Sequence, residues 1–191
     1  MAQFDRRTGS RVLLCTAVLF TSVAVQAATS VVLSADIAYE GACDISVPAT
    51  ITFNNGEPIY PSVIEADFAL TKQNFTMTLT DCKGMGVIPK IVVTGTSTTA
   101  YGEDMFVDST SSAKGYGIYL STVGNTYFKS NPNLATIKRI SVIDDWSLAL
   151  NFIVLNGSLP LVAQLTCGNC SFSGRSGGDL NASITFDFQY E

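Results

Sequence analysis

The 191-residue sequence contains no histidine. That absence excludes Ser-His-Asp and Cys-His nucleophile systems, histidine metal sites and imidazole pH switching near neutrality. Charge is also scarce. Only 14% of the residues are charged, with 11 basic against 16 acidic side chains and a net charge of −5. Phosphate binding needs clustered Lys and Arg, so this balance argues against a nucleic-acid partner. No Pro-rich linker divides the chain, and no internal repeat is visible. Apolar side chains, in contrast, are plentiful. They make up 47% of the sequence, which marks a globular chain rather than a disordered one. The length suits one domain, or one domain with a targeting segment.

The first 27 residues differ from the rest. Arg6, Arg7 and Arg11 form a basic start, and residues 12–25 form an uncharged, mostly apolar run of 14. Val25 and Ala27 then stand at the −3 and −1 positions of a cleavage site. This is the pattern of a secretory signal peptide, and the run is too short for a comfortable membrane span. Cleavage after Ala27 leaves 164 of the 191 residues. It removes three Arg and Asp5, leaving 8 basic and 15 acidic side chains and a net charge of −7. No later run of 18 apolar residues follows, so no membrane span is expected in the mature chain.

Cysteine usage agrees with export. Cys15 leaves with the signal peptide, and Cys43, Cys82, Cys167 and Cys170 remain. An even number in an exported chain suggests two disulfides among three possible pairings. The spacing suggests Cys43–Cys82 and Cys167–Cys170. The Cys167-Gly-Asn-Cys170 motif also fits a redox centre or half of a zinc site. Its Ser/Gly-rich, turn-like surroundings and an oxidising compartment favour a structural bridge. No metal or cofactor is expected.

The mature chain reads as β throughout. Thr, Val, Ile, Ser and Phe fit a pleated, half-buried surface. In residues 75–80, Phe75, Met77 and Leu79 alternate with three threonines. In residues 115–121, Tyr116, Ile118 and Leu120 share a face. Residues 148–155 and 158–166 are more uniformly apolar and read as covered strands. Turn signals separate the runs at Asn54-Asn55-Gly56, Gly84-Met85-Gly86, Asn131-Pro132-Asn133 and Asn156-Gly157. Residues 133–147 leave room for a short helical turn. Short strands with such punctuation predict an immunoglobulin-like β-sandwich.

The two ends carry the clearest patterns. At the C-terminus, Leu180, Ala182, Ile184, Phe186, Phe188 and Tyr190 alternate with polar residues. This strand runs almost to the last residue, where chains normally fray. At the mature N-terminus, Val31, Leu33, Ala35, Ile37 and Tyr39 form a second alternating face. That segment precedes Cys43, so a Cys43–Cys82 bridge would not anchor it. It can pair within its own sandwich or add to the sheet edge of another chain.

These residues carry a family resemblance. Cys43 lies in GACDI, and Cys82 lies in LTDCKG after an alternating strand. Tyr190 is the penultimate residue, and Gly178 is fourteenth from the end. Behind a signal peptide, this combination resembles a chaperone–usher fimbrial (pilus) subunit of a Gram-negative bacterium, a type 1 fimbrial-like major or minor pilin. The resemblance spans essentially the whole mature chain.

It implies an incomplete immunoglobulin-like sandwich, the pilin fold, with an N-terminal donor strand. The expected layout is signal peptide 1–27, donor-strand extension 28–41 and pilin domain 42–191. The missing last strand leaves a hydrophobic groove. A periplasmic pilus chaperone fills it first. At the outer-membrane usher, the extension of a neighbouring pilin subunit replaces the chaperone, the donor-strand complementation known for pilins. By position, Val31, Leu33, Ala35 and Ile37 are the donor residues, with Ala35 at the narrow pocket where the family often has glycine. Gly178, Leu180, Ala182, Ile184, Phe186, Phe188 and Tyr190 border the acceptor groove. The carboxylate of Glu191 resembles the group that the chaperone captures. The implied destination is the fimbrium, reached through the periplasm.

Two features depart from the family. The Cys167–Cys170 pair is additional, and only 15 residues separate the expected cleavage from Cys43. Short extensions fit a minor or adaptor subunit. The mature length leaves no room for a separate lectin domain. A self-contained single-domain adhesin for a host glycan or protein is the alternative, and an exposed cluster of Tyr116, Tyr119 and Tyr127 would favour it. A secreted enzyme would have to use Cys167 and Cys170, or Asp144 and Asp145. Adjacent strand residues point to opposite faces, so that Asp pair reads as a solvated turn.

Overall fold

The computed structural model describes residues 41–67 and 69–191. The expected signal peptide and the donor residues Val31, Leu33, Ala35 and Ile37 lie outside them.

Alternating runs become strands wherever one face can be buried. Among the described residues these are β1 (Gly41–Ser46), β2 (Lys72–Gly84), β3 (Pro89–Gly95), β4 (Ser97–Thr98), β5 (Met105–Phe106), β6 (Gly117–Thr122), β7 (Arg139–Ser141), β8 (Gly157–Thr166) and β9 (Ile184–Tyr190). One short helix, α1 (Pro61–Glu65), opens on a proline that suits a first helical turn. The strands form two antiparallel sheets. One has the order β1-β2-β8-β6-β5-β4, and the other has β7-β3-β9. The class is all-β, a sandwich of two antiparallel sheets, as the short punctuated strands predict.

The core lies between the sheets. Met77 and Leu79 of β2, Leu120 of β6, and Leu159 and Leu161 of β8 meet Ile91 and Val93 of β3 and Ile140 of β7. All are almost fully buried. The threonines of β2 take the opposite face, as their alternation requires. At the β1–β2 pair the register slips between Ala42 and Asp44. Asp81 adopts a left-handed φ of 51° within that irregularity, a conformation that Asp tolerates better than most residues. The slip lies where Cys43 and Cys82 form a disulfide between the two strands.

One region differs from the sequence reading. Residues 148–155 are not a strand. Phe152–Leu155 form a one-turn 3₁₀ helix, and the Asn151 side chain accepts a hydrogen bond from the Ile153 N–H at 3.0 Å. Phe152 and Leu155 are buried three residues apart while Ile153 is exposed. That spacing suits three residues per turn rather than two. Residues 133–147, read as leaving room for a short helical turn, hold a turn closed by the Ile137 N–H donating to the Asn133 carbonyl at 3.1 Å, followed by the strand β7. The buried Asn131 organises the entry to this segment. Its amide donates to the carbonyls of Ile137 and Arg139, and its carbonyl accepts from the Asn133 N–H.

Candidate functional site

β9 is the last strand of its sheet. One edge pairs with β3 from Pro89↔Tyr190 to Gly95↔Ile184. The other edge has no strand partner among the described residues. β1 likewise ends the larger sheet. Beyond Ser46 the chain continues through Val47, Ala49, Ile51 and Phe53, a period-2 run outside any strand. Between this run and residues 177–186 lies an open groove of about 1130 Å³. Tyr116, Ile118, Leu120, Ala163 and Leu165, with Phe75, contribute its apolar floor.

The β9 side of the groove is held from behind. Its upstream segment is not strand, since β9 begins only at Ile184 rather than at Leu180. It is hydrogen-bonded instead to residues 108–114. The Ser112 and Ala113 N–H groups donate to the Asp179 carbonyl at 2.9 and 3.1 Å, and Asp108 N–H donates to the Asn181 carbonyl at 2.8 Å. The Ser111 and Ser112 hydroxyls accept from the Asn181 and Asp179 N–H groups at 2.9 and 2.8 Å. Gly178 has a packing role at this junction. A Cβ there would come within 2.7 Å of the Ala113 nitrogen and 2.8 Å of the Ser112 carbonyl carbon. Only glycine lets the two backbones approach so closely.

Five of the seven residues expected to border the groove line it: Gly178, Leu180, Ala182, Ile184 and Phe186. The apolar four among them are only half-buried. Phe188 and Tyr190 share their face but lie past the groove. Phe188 packs edge-on against Phe152 at 5.8 Å, and Tyr190 is exposed at the end of the sandwich. The opposite wall, Val47 to Phe53, was missed by the sequence reading. Its own alternation was the signal that could have found it.

The second cysteine pair, Cys167–Cys170, is a disulfide within the turn that ends β8. Cys167 is buried with Ala113 and Tyr116, and Cys170 and Leu180 pack onto that cluster. The bridge thus backs one end of the groove. The Asn169 N–H donates to the Tyr101 carbonyl at 3.1 Å, and the Tyr101 and Phe172 rings meet at 5.0 Å. No helix follows Cys170 among the described residues, so the strand-to-helix setting of redox CxxC motifs is missing.

The remaining candidates do not converge. Tyr116 is buried, Tyr127 is half-buried, and the Tyr119 hydroxyl is buried without a hydrogen-bond partner. These three therefore form no exposed aromatic platform. Asp144 and Asp145 sit in an exposed turn, with Asp144 paired to Lys129. Among the described residues no cluster of His, Cys, Asp or Glu could hold a metal ion. None of their helices is long and apolar enough to cross a membrane. At the C-terminus, Lys90 hydrogen-bonds the Glu191 side chain at 2.7 Å and holds its carboxyl below the usual carboxylate range.

No protein-family model matches the sequence, and no curated protein matches it either. Among solved structures, the chain is similar to the P pilus rod subunit PapA. The identity is 16%, the TM-score is 0.46, and the match covers 85% of this chain and all of PapA.

Proposed function

We propose that this chain is a structural subunit of a chaperone–usher fimbria, polymerising by donor-strand complementation and supporting cell adhesion. The groove beside the unpaired edge of β9 carries this reading. An unpaired edge with half-buried apolar side chains is an aggregation hazard unless something covers it. The chemistry that covers it is an extended strand. Its main chain satisfies the β9 edge, and its alternate side chains fill the groove.

The chain's own residues supply such a strand for a neighbour. Val31, Leu33, Ala35 and Ile37 recur every second residue. The stretch from Gly178 to Phe186 spans roughly 30 Å when extended, enough for a donor of that length. Burying a large apolar side chain fully contributes about 1.5–3 kcal/mol, so several partly buried ones hold a joint without covalent linkage. Ordering entropy offsets part of that gain. In this reading a periplasmic chaperone occupies the groove during export, and the usher oversees its replacement by the next subunit's residues 28–41. The fimbrial surface is the destination, and no catalytic step is involved.

The test is thermal unfolding of the mature chain with and without a peptide of residues 28–40. Alone, the chain should self-associate or unfold at low temperature. At a peptide concentration about 100-fold above Kd, stability should rise by about 2.7 kcal/mol. A chain truncated before Gly41 that stays monomeric, unfolds reversibly with high stability and ignores the peptide contradicts the proposal.

A further inference from the structure

A second apolar surface lies away from the groove, at the end of the sandwich where β1 begins. Gly41 pairs with Gly84. Met85 follows Gly84 directly, and the next N–H, that of Gly86, donates to the Leu148 carbonyl at 3.0 Å. Ile88 exchanges two backbone hydrogen bonds with Glu191, at 2.9 and 3.0 Å. Pro89 pairs with Tyr190. The backbone thus brings the segments that carry Met85, Ile88, Leu148 and Tyr190 to one end, or pole, of the sandwich, with Ile88 on one face of the β3–β9 pair and Tyr190 on the other. Met85 is 49% exposed, Ile88 42%, Leu148 53% and Tyr190 41%. None of them lines the groove. A single exposed apolar residue needs no explanation, but several at one end of a sandwich do. Lys83 and the Lys90–Glu191 ion pair supply charged groups on the same segments.

We propose that this pole is the docking surface for the neighbouring subunit that receives this chain's donor strand. The inference rests on the donor-strand reading above. Chain length selects the occupant. Only Ala38, Tyr39 and Glu40 separate the last donor residue, Ile37, from Gly41. The four extended steps from Ile37 to Gly41 reach about 14 Å. An acceptor domain holding Ile37 in its groove is therefore tethered beside Gly41, and the Gly84-Met85 segment is the nearest surface to Gly41 on the ladder. A domain held that close excludes water from the pole. The tether also raises the local concentration of the two faces, so a small apolar contact suffices. The pole then limits bending at each joint, while the strand supplies the holding force.

The experiment uses the full mature chain carrying Met85→Glu and Leu148→Glu. Both side chains are exposed, so folding should survive. Two quantities are measured: affinity for the free peptide of residues 28–40, and the dissociation rate of two-subunit complexes joined by a donor strand. The expected result is unchanged peptide affinity with complexes that separate at least about tenfold faster, because two buried charges replace apolar contacts worth more than about 1.4 kcal/mol. Unchanged dissociation of the two-subunit complex overturns the docking surface and leaves the groove reading intact. Loss of peptide affinity together with faster dissociation also overturns it, because the substitutions then act through the groove. If wild-type chain fails to bind the peptide or form two-subunit complexes, the donor-strand reading fails and takes the pole with it.

Discussion

β3 and β9 are neighbours in one sheet, paired residue for residue, and they meet opposite fates. Ile91 pairs with Phe188 and Val93 with Phe186. Ile91 and Val93 are 0% and 1% exposed, whereas both phenylalanines remain half-buried. β9 alternates strictly, whereas β3 carries the unbroken run Ile91-Val92-Val93, so regular alternation is not what buries a strand. Position is. β3 has β7 on one side and β9 on the other, while among the described residues β9 has a partner on one side only. A strand with one neighbour leaves a row of backbone groups unpaired and its apolar face partly open. The contrast separates residues that stabilise this domain from residues poised to stabilise an assembly.

The largest effect should come from the closed side. Leu159→Ala removes a fully buried side chain from the core. It should cost about 2–5 kcal/mol in chemical denaturation, with or without bound peptide. Ile184→Ala is the matched change on the open side. It should cost less than about 1 kcal/mol in the free chain and more when the 28–40 peptide is bound, because only then is the site fully buried. Equal costs in the two states would erase the distinction between the strands.

An intermediate effect is expected where the open strand is fastened. Gly178→Val forces a side chain into the Ser112-Ala113 backbone. We expect a loss of about 1–3 kcal/mol, the usual cost of overpacking, and weaker peptide binding as the groove wall shifts. Full peptide affinity in that variant would mean that the wall need not be held in place.

The smallest effect concerns the exposed end of β9. Lys90 lowers the Glu191 carboxyl pKa from the ordinary value of 4.5. A carboxyl depressed in the folded state adds stability above its unfolded pKa, and that contribution is lost as pH falls through the folded pKa. Glu191→Gln should therefore lower Tm slightly at neutral pH and leave it unchanged in strong acid. A Tm difference that grows on acidification would have the wrong sign for this ion pair.

Much of the sandwich was legible in the sequence. Phe75-Met77-Leu79 and Ile184-Phe186-Phe188 announced strands because each needed only a period of two. The Phe152–Leu155 turn was not legible, since a short apolar run has no period until Asn151 is seen capping it. The groove was half legible. Leu180 to Phe186 stood out, yet the facing wall at Val47 to Phe53 did not, because its alternation does not say which strand is missing beside it. That is a property of topology, and one strand's pattern does not contain it. The role of Gly178 was equally hidden, since its constraint comes from Ser112 and Ala113, distant in sequence.

The central claim is that the free edge of β9 accepts a strand. Amide hydrogen exchange along residues 184–190, measured before and after adding the 28–40 peptide, tests it most directly. The account predicts new protection at the Ile184 and Phe186 amides, which border the groove, with the amides bonded to β3 already protected beforehand. Bound peptide with no change along β9 would contradict it.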